Sequence, residues 1–220
     1  MDSNSIQNLI QSIVIPELSK TIFMVVTTTI LSTIIGIFLA IVLVITDRDG
    51  LKPNKYIYQI LNVIINIVRS FPFIILIVAV IPVTRVIVGS SIGEKAAIVP
   101  LTIAGAPYVA RIIESSLKEV DRGLIEAARS FGGSNVQIIF RIMISEAMPS
   151  IIAGITLAVI SILGSTAMAG AVGAGGLGAV ALTYGYENFN NTIMYGTVFF
   201  LIVLVQLIQF LGTGLYKLLK

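Results

Sequence analysis

Long uncharged runs, separated by short clusters of charge, set the pattern of this chain. Lys20 and Asp47 enclose 26 uncharged residues, Thr21 to Thr46. That exceeds the roughly 20 residues a helix needs to cross a hydrocarbon core. Between Lys55 and Arg85 the only charge is Arg69, so Tyr56 to Pro82 reads as a second span carrying one cation. The third run, Ala96 to Ala110, has 15 residues between charges and is interrupted by Pro100, Gly105 and Pro107. It reaches spanning length only when extended to 91–117, with Arg111 and Glu114 in its final turns. No charge occurs in the 40 residues from Ala147 to Tyr186. The first half of that stretch reads as a span, and the density of glycine from Gly170 onward predicts a turn or hairpin. Asn188 to Tyr216 forms the last run. The pattern therefore predicts an all-α chain with five transmembrane helices, at 21–46, 56–83, 91–117, 145–169 and 190–216, in a single domain covering 1–220.

Composition agrees with this solvent. Hydrophobic residues make up 56% of the 220 positions and charged residues 11%, against about 25% charge in an average soluble domain. An ordinary soluble enzyme is excluded, and so is disorder, which needs low hydrophobicity and high net charge. The chain has no cysteine and no histidine. That removes disulfide scaffolds, thiolate zinc sites, histidine-ligated metals and Ser-His-Asp or Cys-His catalysis. No glycine is followed by lysine, so the chain has no phosphate-binding loop of the G-x-x-x-x-G-K-[ST] type. Gly173-Ala174-Gly175-Gly176-Leu177-Gly178 matches the G-x-G-x-x-G fingerprint. It follows a membrane helix rather than a strand, however, and close helix packing or a re-entrant turn accounts for it better than a nucleotide. No catalytic residue, metal or cofactor of its own is expected, and no nucleic-acid partner.

The few charges orient the chain. Arg48, Lys52, Lys55, Arg111, Lys118, Arg122, Arg129, Arg141, Lys217 and Lys220 fall in one set of segments, against Lys20, Arg85 and Lys95 in the other. Basic residues gather on the cytoplasmic side, so the N-terminus is expected outside and the C-terminus inside. Met1 to Lys20 lacks the basic first region and small-residue cleavage site of a signal peptide. Ile6, Leu9, Ile10, Ile13 and Val14 recur there at helical spacing, with Gln7, Asn8, Gln11 and Ser12 opposite. This suits a short helix on the outer interface; a frayed terminus is the plainer reading.

The longest inner segment, about 118–144, is the most informative. Asp121 is placed to cap a short helix with Leu124, Ile125, Ala128 and Phe131 along one face, and Gly132-Gly133 to stop it. Ser134 with Gln137 has the form of a capping box opening a second helix, which carries Ile138, Ile139 and Ile142. A compact helix of this kind fits a groove on a soluble partner or rests on lipid headgroups, and periodicity alone leaves both open.

Glu126-Ala127-Ala128, followed by Gly132 and Ile142, resembles the EAA loop of bacterial ABC importer permeases. The segments 69–76, 81–89 and 170–178 are similar to the methionine-uptake branch, so the likeness covers roughly 20–215. One departure is Ile144-Ser145 where the family's pattern ends in leucine-proline, with Pro149 four residues later. The resemblance implies a type I ABC importer permease fold in the bacterial cytoplasmic (inner) membrane, spanning the lipid bilayer in several passes. It implies a homodimer, a separate ABC ATPase subunit that binds the ATP, and an extracytoplasmic substrate-binding lipoprotein. The amino-acid substrate is then most simply methionine. Leu124, Ile125, Glu126, Ala127, Ala128 and Gly132 would form the coupling helix that meets the ATPase. A permease for another amino acid, and an ATP-independent channel or scaffold, remain the alternative readings.

Polar groups within the spans are candidates for the pathway. Asn62, Asn66, Arg69 and Phe73 share one helical face. An arginine is costly against lipid, so Arg69 is expected to meet either a substrate carboxylate or a structural partner such as Glu114, backbone carbonyls or the inner interface. Arg111, Glu114 and Lys118 read as a mutually satisfied structural network. Ser161, Ser165 and Met168 recur at near-helical spacing on the fourth span. Paired Met168 side chains would make an apolar gate, with simple packing as the plainer account. Asn66, Arg69, Ser165 and Met168 are thus the pathway and gate candidates.

Overall fold

A computed structural model describes residues 10–219, with no strand among them. Ile6 and Leu9 of the expected interfacial helix, and Lys220, lie outside the described residues. The chain enters through a π-helical turn, Ile10–Val14, that runs directly into α1 (Ile15–Thr46). Pro16 lies in the first turn of α1 and has no N–H to donate back into the π-helical turn before it. After α1 the chain folds back on itself, with Lys52 N–H donating to Ile45 O and Asn54 N–H to Thr46 O.

Asn54 opens α2 (Lys55–Ser70), its side chain accepting from the Tyr56 and Ile57 N–H groups. Where the hydrophobic pattern predicts one span over 56–83, three helices occur: α2, α3 (Phe73–Ala79) and α4 (Ile81–Val88). Pro72 is the cause of the first break. A residue before proline is driven out of the helical region, and Phe71 is extended at φ −72°, ψ 128°. α2 and α3 meet at 105°.

α5 (Glu94–Lys118) follows, then the short α6 (Arg122–Ser130). Asn135–Gly170 is one long helix, α7, with a π-helical stretch at Ile138–Met143. The end of the expected inner loop is therefore continuous with the fourth span. The glycine-rich stretch turns into α8, which starts at Gly176–Ala179 and continues in π geometry over Val180–Glu187. α9 (Asn191–Leu219) closes the fold. α1, α5, α7 and α9 are each long and apolar enough to cross a membrane, and the bent α2–α3 pair brings the number to as many as five.

Side-chain and backbone bonds fix the two ends of the bundle. At one end Lys118 Nζ lies 2.7 Å from Asp47, joining the last residues of α1 and α5. At the other, Gly93 N–H donates to Gly173 O at 2.9 Å, and Gly176 N–H to Glu17 at 2.5 Å. α1 and α5 are therefore parallel, α7 runs against them, and α2–α4 carry the chain from one end to the other. The α1–α5 seam is close, because a Cβ on Gly105 would stand 2.6 Å from Ser32 Oγ. Small residues of this kind let helix backbones approach in a membrane. The largest apolar core lies at the Asp47 end, where Val44, Ile113, Leu117, Ile138, Met143 and Ile151 are buried together.

Candidate functional site

α6 stands at the Asp47 end. Asp121 Oδ1 caps it by accepting from Gly123 N–H at 2.6 Å. Its other end is a Schellman motif: Gly133 N–H reaches Ala128 O at 3.0 Å and Gly132 N–H reaches Arg129 O at 2.9 Å. Gly132 adopts φ +80°, a left-handed conformation that favours glycine. Ser134 and Gln137 then form the reciprocal capping box that starts α7, as the sequence pattern predicts.

The apolar face of α6 does not act as one surface. Ile125 and Ala128 pack onto the chain's own core. Leu124 is 45% exposed and Phe131 91% exposed, and Ala127 beside them is also exposed. At about 100° per residue, the stripe is wide enough for its two edges to face different ways. One edge anchors the helix, and the other presents Leu124, Ala127 and Phe131 outward. Glu126 is exposed as well. Two polar ties add to the anchor, Arg122 to Asp49 at 2.8 Å and Arg129 to the Leu51 carbonyl at 3.2 Å. Between α6 and the α1–α2 turn lies a cleft of about 290 Å³, lined by Asp47, Asp49, Lys118, Arg122, Glu126 and Arg129 among others.

Above this helix the charged groups form one network. Glu114 is 3% exposed and is held between Arg111 at 2.7 Å and Lys118 at 2.8 Å. Tyr58 OH donates to Glu114 at 3.4 Å, and Arg111 also donates to Asn62 and, at 3.1 Å, to Asn66. Burial pushes the Asp47 carboxyl up, but hydrogen bonds from Lys118 and the Arg48 N–H, with the positive charges of Lys118 and Arg122, outweigh it. The net effect holds Asp47 below its ordinary value.

The four pathway candidates are only partly assembled within one chain. Asn66 is committed to Arg111 and also lines a hollow of about 520 Å³ at the α2–α3 bend, with Ser70, Phe71 and Pro72. Arg69 closes the last turn of α2, where a cation complements the free carbonyls. It is exposed and makes no ion pair among the described residues, since Glu114 is taken by Arg111 and Lys118. On α7, Met168 is 52% exposed and Ser161 is exposed beside it, while Ile162, Leu163, Thr166 and Ala169 bury the opposite side. Ser165 is half-buried and donates to the Ser161 carbonyl at 3.1 Å. No hydrogen bond or ion pair among the described residues joins Asn66 or Arg69 to Ser165 or Met168.

The glycine fingerprint at 173–178 has no free N–H cradle for a phosphate. The N–H groups of Gly176 and Leu177 are already taken by Glu17 and by Thr21 Oγ1, the latter at 2.8 Å. These two acceptors lie more than 150 residues from their donors, a pairing no local motif announces.

Comparison with known proteins gives a consistent picture. Residues 32–220 match the family described as the binding-protein-dependent transport system inner membrane component. A probable D-methionine transport system permease protein of Vibrio cholerae is 46% identical over 198 residues, 90% of this chain and 88% of that one. The methionine import system permease protein of Bacillus subtilis is 42% identical over 170 residues, 77% of each chain. Among solved structures, a methionine ABC transporter in an inward-facing crystal form matches over the whole of both chains, at 39% identity and a TM-score of 0.93. An amino acid ABC transporter solved with histidines matches with a TM-score of 0.74 at 22% identity, a likeness of fold alone.

Proposed function

The chain belongs to the binding-protein-dependent transport system inner membrane components, and on that footing we propose that it is the membrane-spanning subunit of an ATP-driven methionine importer. It is a transport subunit of the inner membrane rather than the ATPase. Two copies would enclose one pathway, two copies of a separate ATP-binding subunit would dock on the inner face, and a binding lipoprotein would deliver the amino acid outside. Methionine as the substrate is supported by the relatives' names, and the homodimer with its ATPase by the full-length likeness to the methionine transporter.

We take the chain to cross five times in one domain, 1–220, with α2–α4 together making the second crossing, the N-terminus outside and the C-terminus inside. The direction of each helix and the basic residues at the α6 end support this. The observation that carries the reading is α6. It is a capped helix anchored by Ile125 and Ala128, tied by Arg122 and Arg129, and showing Leu124, Ala127 and Phe131 outward. ATP-driven closure of the ATPase pair would push on that strip, and the anchor would pass the push to α1, α5 and α7. Glu126 and Gly132 serve the same coupling, Glu126 as an exposed contact and Gly132 by fixing the helix end.

On the pathway, the exposed Met168 side chains of two copies would meet as an apolar gate, with Ser165 beside them. Asn66 would line the pathway at the hollow by the α2–α3 bend, with Arg69 exposed in the last turn of α2 nearby. The direct test is purification in mild detergent. The account expects an ATPase to co-purify in equal number, and a chain that purifies alone and conducts without ATP would contradict it.

A further inference from the structure

The end of the bundle away from α6 carries a contact that neither the coupling role nor the pathway candidates explain. Glu17, in the first turn of α1, accepts the Gly176 N–H through Oε2 at 2.5 Å while Oε1 pairs with Lys20 at 2.6 Å. One turn on, Thr21 Oγ1 accepts the Leu177 N–H at 2.8 Å. The hairpin is shaped for this approach. Gly175 and Gly176 have φ of +76° and +80°, and a Cβ on Gly176 would stand 2.7 Å from Thr21 Oγ1. On its other side the hairpin is tied by Gly173 O to Gly93 N–H at 2.9 Å. It begins where α7 ends at Gly170, two residues after Met168. Ala169 is fully buried against the cluster that holds Met24 and Ala174.

A movement of the α7 end away from α1 therefore pulls on the hairpin, which these hydrogen bonds hold to α1 together with apolar contacts, Ala174 in one cluster with Met24 and Leu177 in another with Val14 and Leu18. Backbone N–H bonds to an ionised carboxylate are stronger than neutral ones. They also exchange for water at modest net cost when the acceptor lies at the water boundary, and the Glu17 side chain is 20% exposed. We infer that Glu17 is a positioning residue of the outer gate: with Thr21, it latches the glycine hairpin to α1 and keeps the outer mouth closed until the transporter turns outward. The inference rests on the orientation and gate proposed above. Both copies of a dimer would carry the latch, so the closed outer mouth is favoured twice over.

A latch of this kind sets a population, and weakening it moves the transporter toward its outward state. The test uses the purified permease with its co-purifying ATPase, reading basal ATP hydrolysis and ATP-driven uptake side by side. Glu17→Ala is expected to raise basal hydrolysis about tenfold, the scale of one charge-assisted hydrogen bond, while lowering the uptake gained per ATP. Glu17→Gln keeps an acceptor oxygen and gives an intermediate value. Thr21→Val removes the second acceptor at nearly constant volume, together with the hydroxyl's own bond to the Glu17 carbonyl; it moves both readouts the same way by less, and decides the matter if Glu17→Ala does not assemble. Hydrolysis and uptake that stay at the parent values, or fall together, overturn the latch, because a merely structural bond would lower both. A parent chain that brings no ATPase through purification would instead count against the transporter reading itself.

Discussion

At the scale of single residues, the Glu114 network is the most exacting feature. A nearly buried carboxylate survives in the bundle because Arg111 and Lys118 flank it and Tyr58 donates to it. Removing one partner of a buried pair leaves a charge uncompensated. Arg111→Ala is expected to destabilise the chain by about 3 kcal/mol, read as a lower denaturation midpoint in detergent, whereas Arg85→Ala, on an exposed cation, leaves the midpoint in place. Asp47 gives the network a pH dependence of definite sign. Its carboxyl is held below the ordinary value in the folded chain, so its contribution is present above about pH 4 and lost as the pH falls through the folded value. Denaturation midpoints measured from neutral to acid pH should drop less steeply for Asp47→Asn than for the parent. The pairs Arg111–Glu114 and Glu114–Lys118 are legible in the sequence because they lie one helical turn apart. The acceptors Asn62 and Asn66 are not legible as Arg111's partners, since 45 or more residues separate them from it.

At the scale of elements, local chemistry predicted the caps better than the packing. Asp121, the Gly132-Gly133 stop and the Ser134–Gln137 box all follow from side-chain and φ preferences that act within a few residues. The split face of α6 does not, because the core that takes Ile125 and Ala128 is built from residues of α1, α5 and α7. The split separates two outcomes. Phe131→Ala should leave the permease folded but weaken its hold on the ATPase by about 2 kcal/mol, roughly thirtyfold, measured by titrating the ATPase onto the purified permease. Ile125→Ala should instead loosen α6 from its own subunit, seen as faster hydrogen exchange across Arg122–Ser130 in the isolated permease. The break at Pro72 was open to the same local reasoning, since proline restricts the residue before it. The largely apolar run from Tyr56 to Pro82, with Arg69 its single charge, masked it, because hydropathy reports the solvent and not the path of the backbone.

At the scale of the whole molecule, the fold divides its tasks between two ends. One end holds the charged network and α6, the helix proposed for coupling, and the other holds the glycine hairpin clasped by Glu17. Between them runs an apolar bundle whose α7 leaves Met168 and Ser161 uncovered and whose α9 buries little of its surface within the chain. Such faces await lipid or a second copy. The long uncharged runs made the bundle readable, and the scarcity of charge made the two ends distinguishable. What they omit is the pairing across the molecule, such as Arg111 with Asn62 and Glu17 with Gly176, that turns a set of spans into the proposed machine. Methionine uptake into sealed vesicles tests that machine most directly, with the permease, its ATPase and the binding lipoprotein present and ATP supplied on the α6 side. The account predicts accumulation that requires ATP, is competed by unlabelled methionine but not by histidine or glutamate, and collapses in Gly132→Pro. Accumulation that proceeds equally without ATP, or that methionine fails to compete, would contradict it.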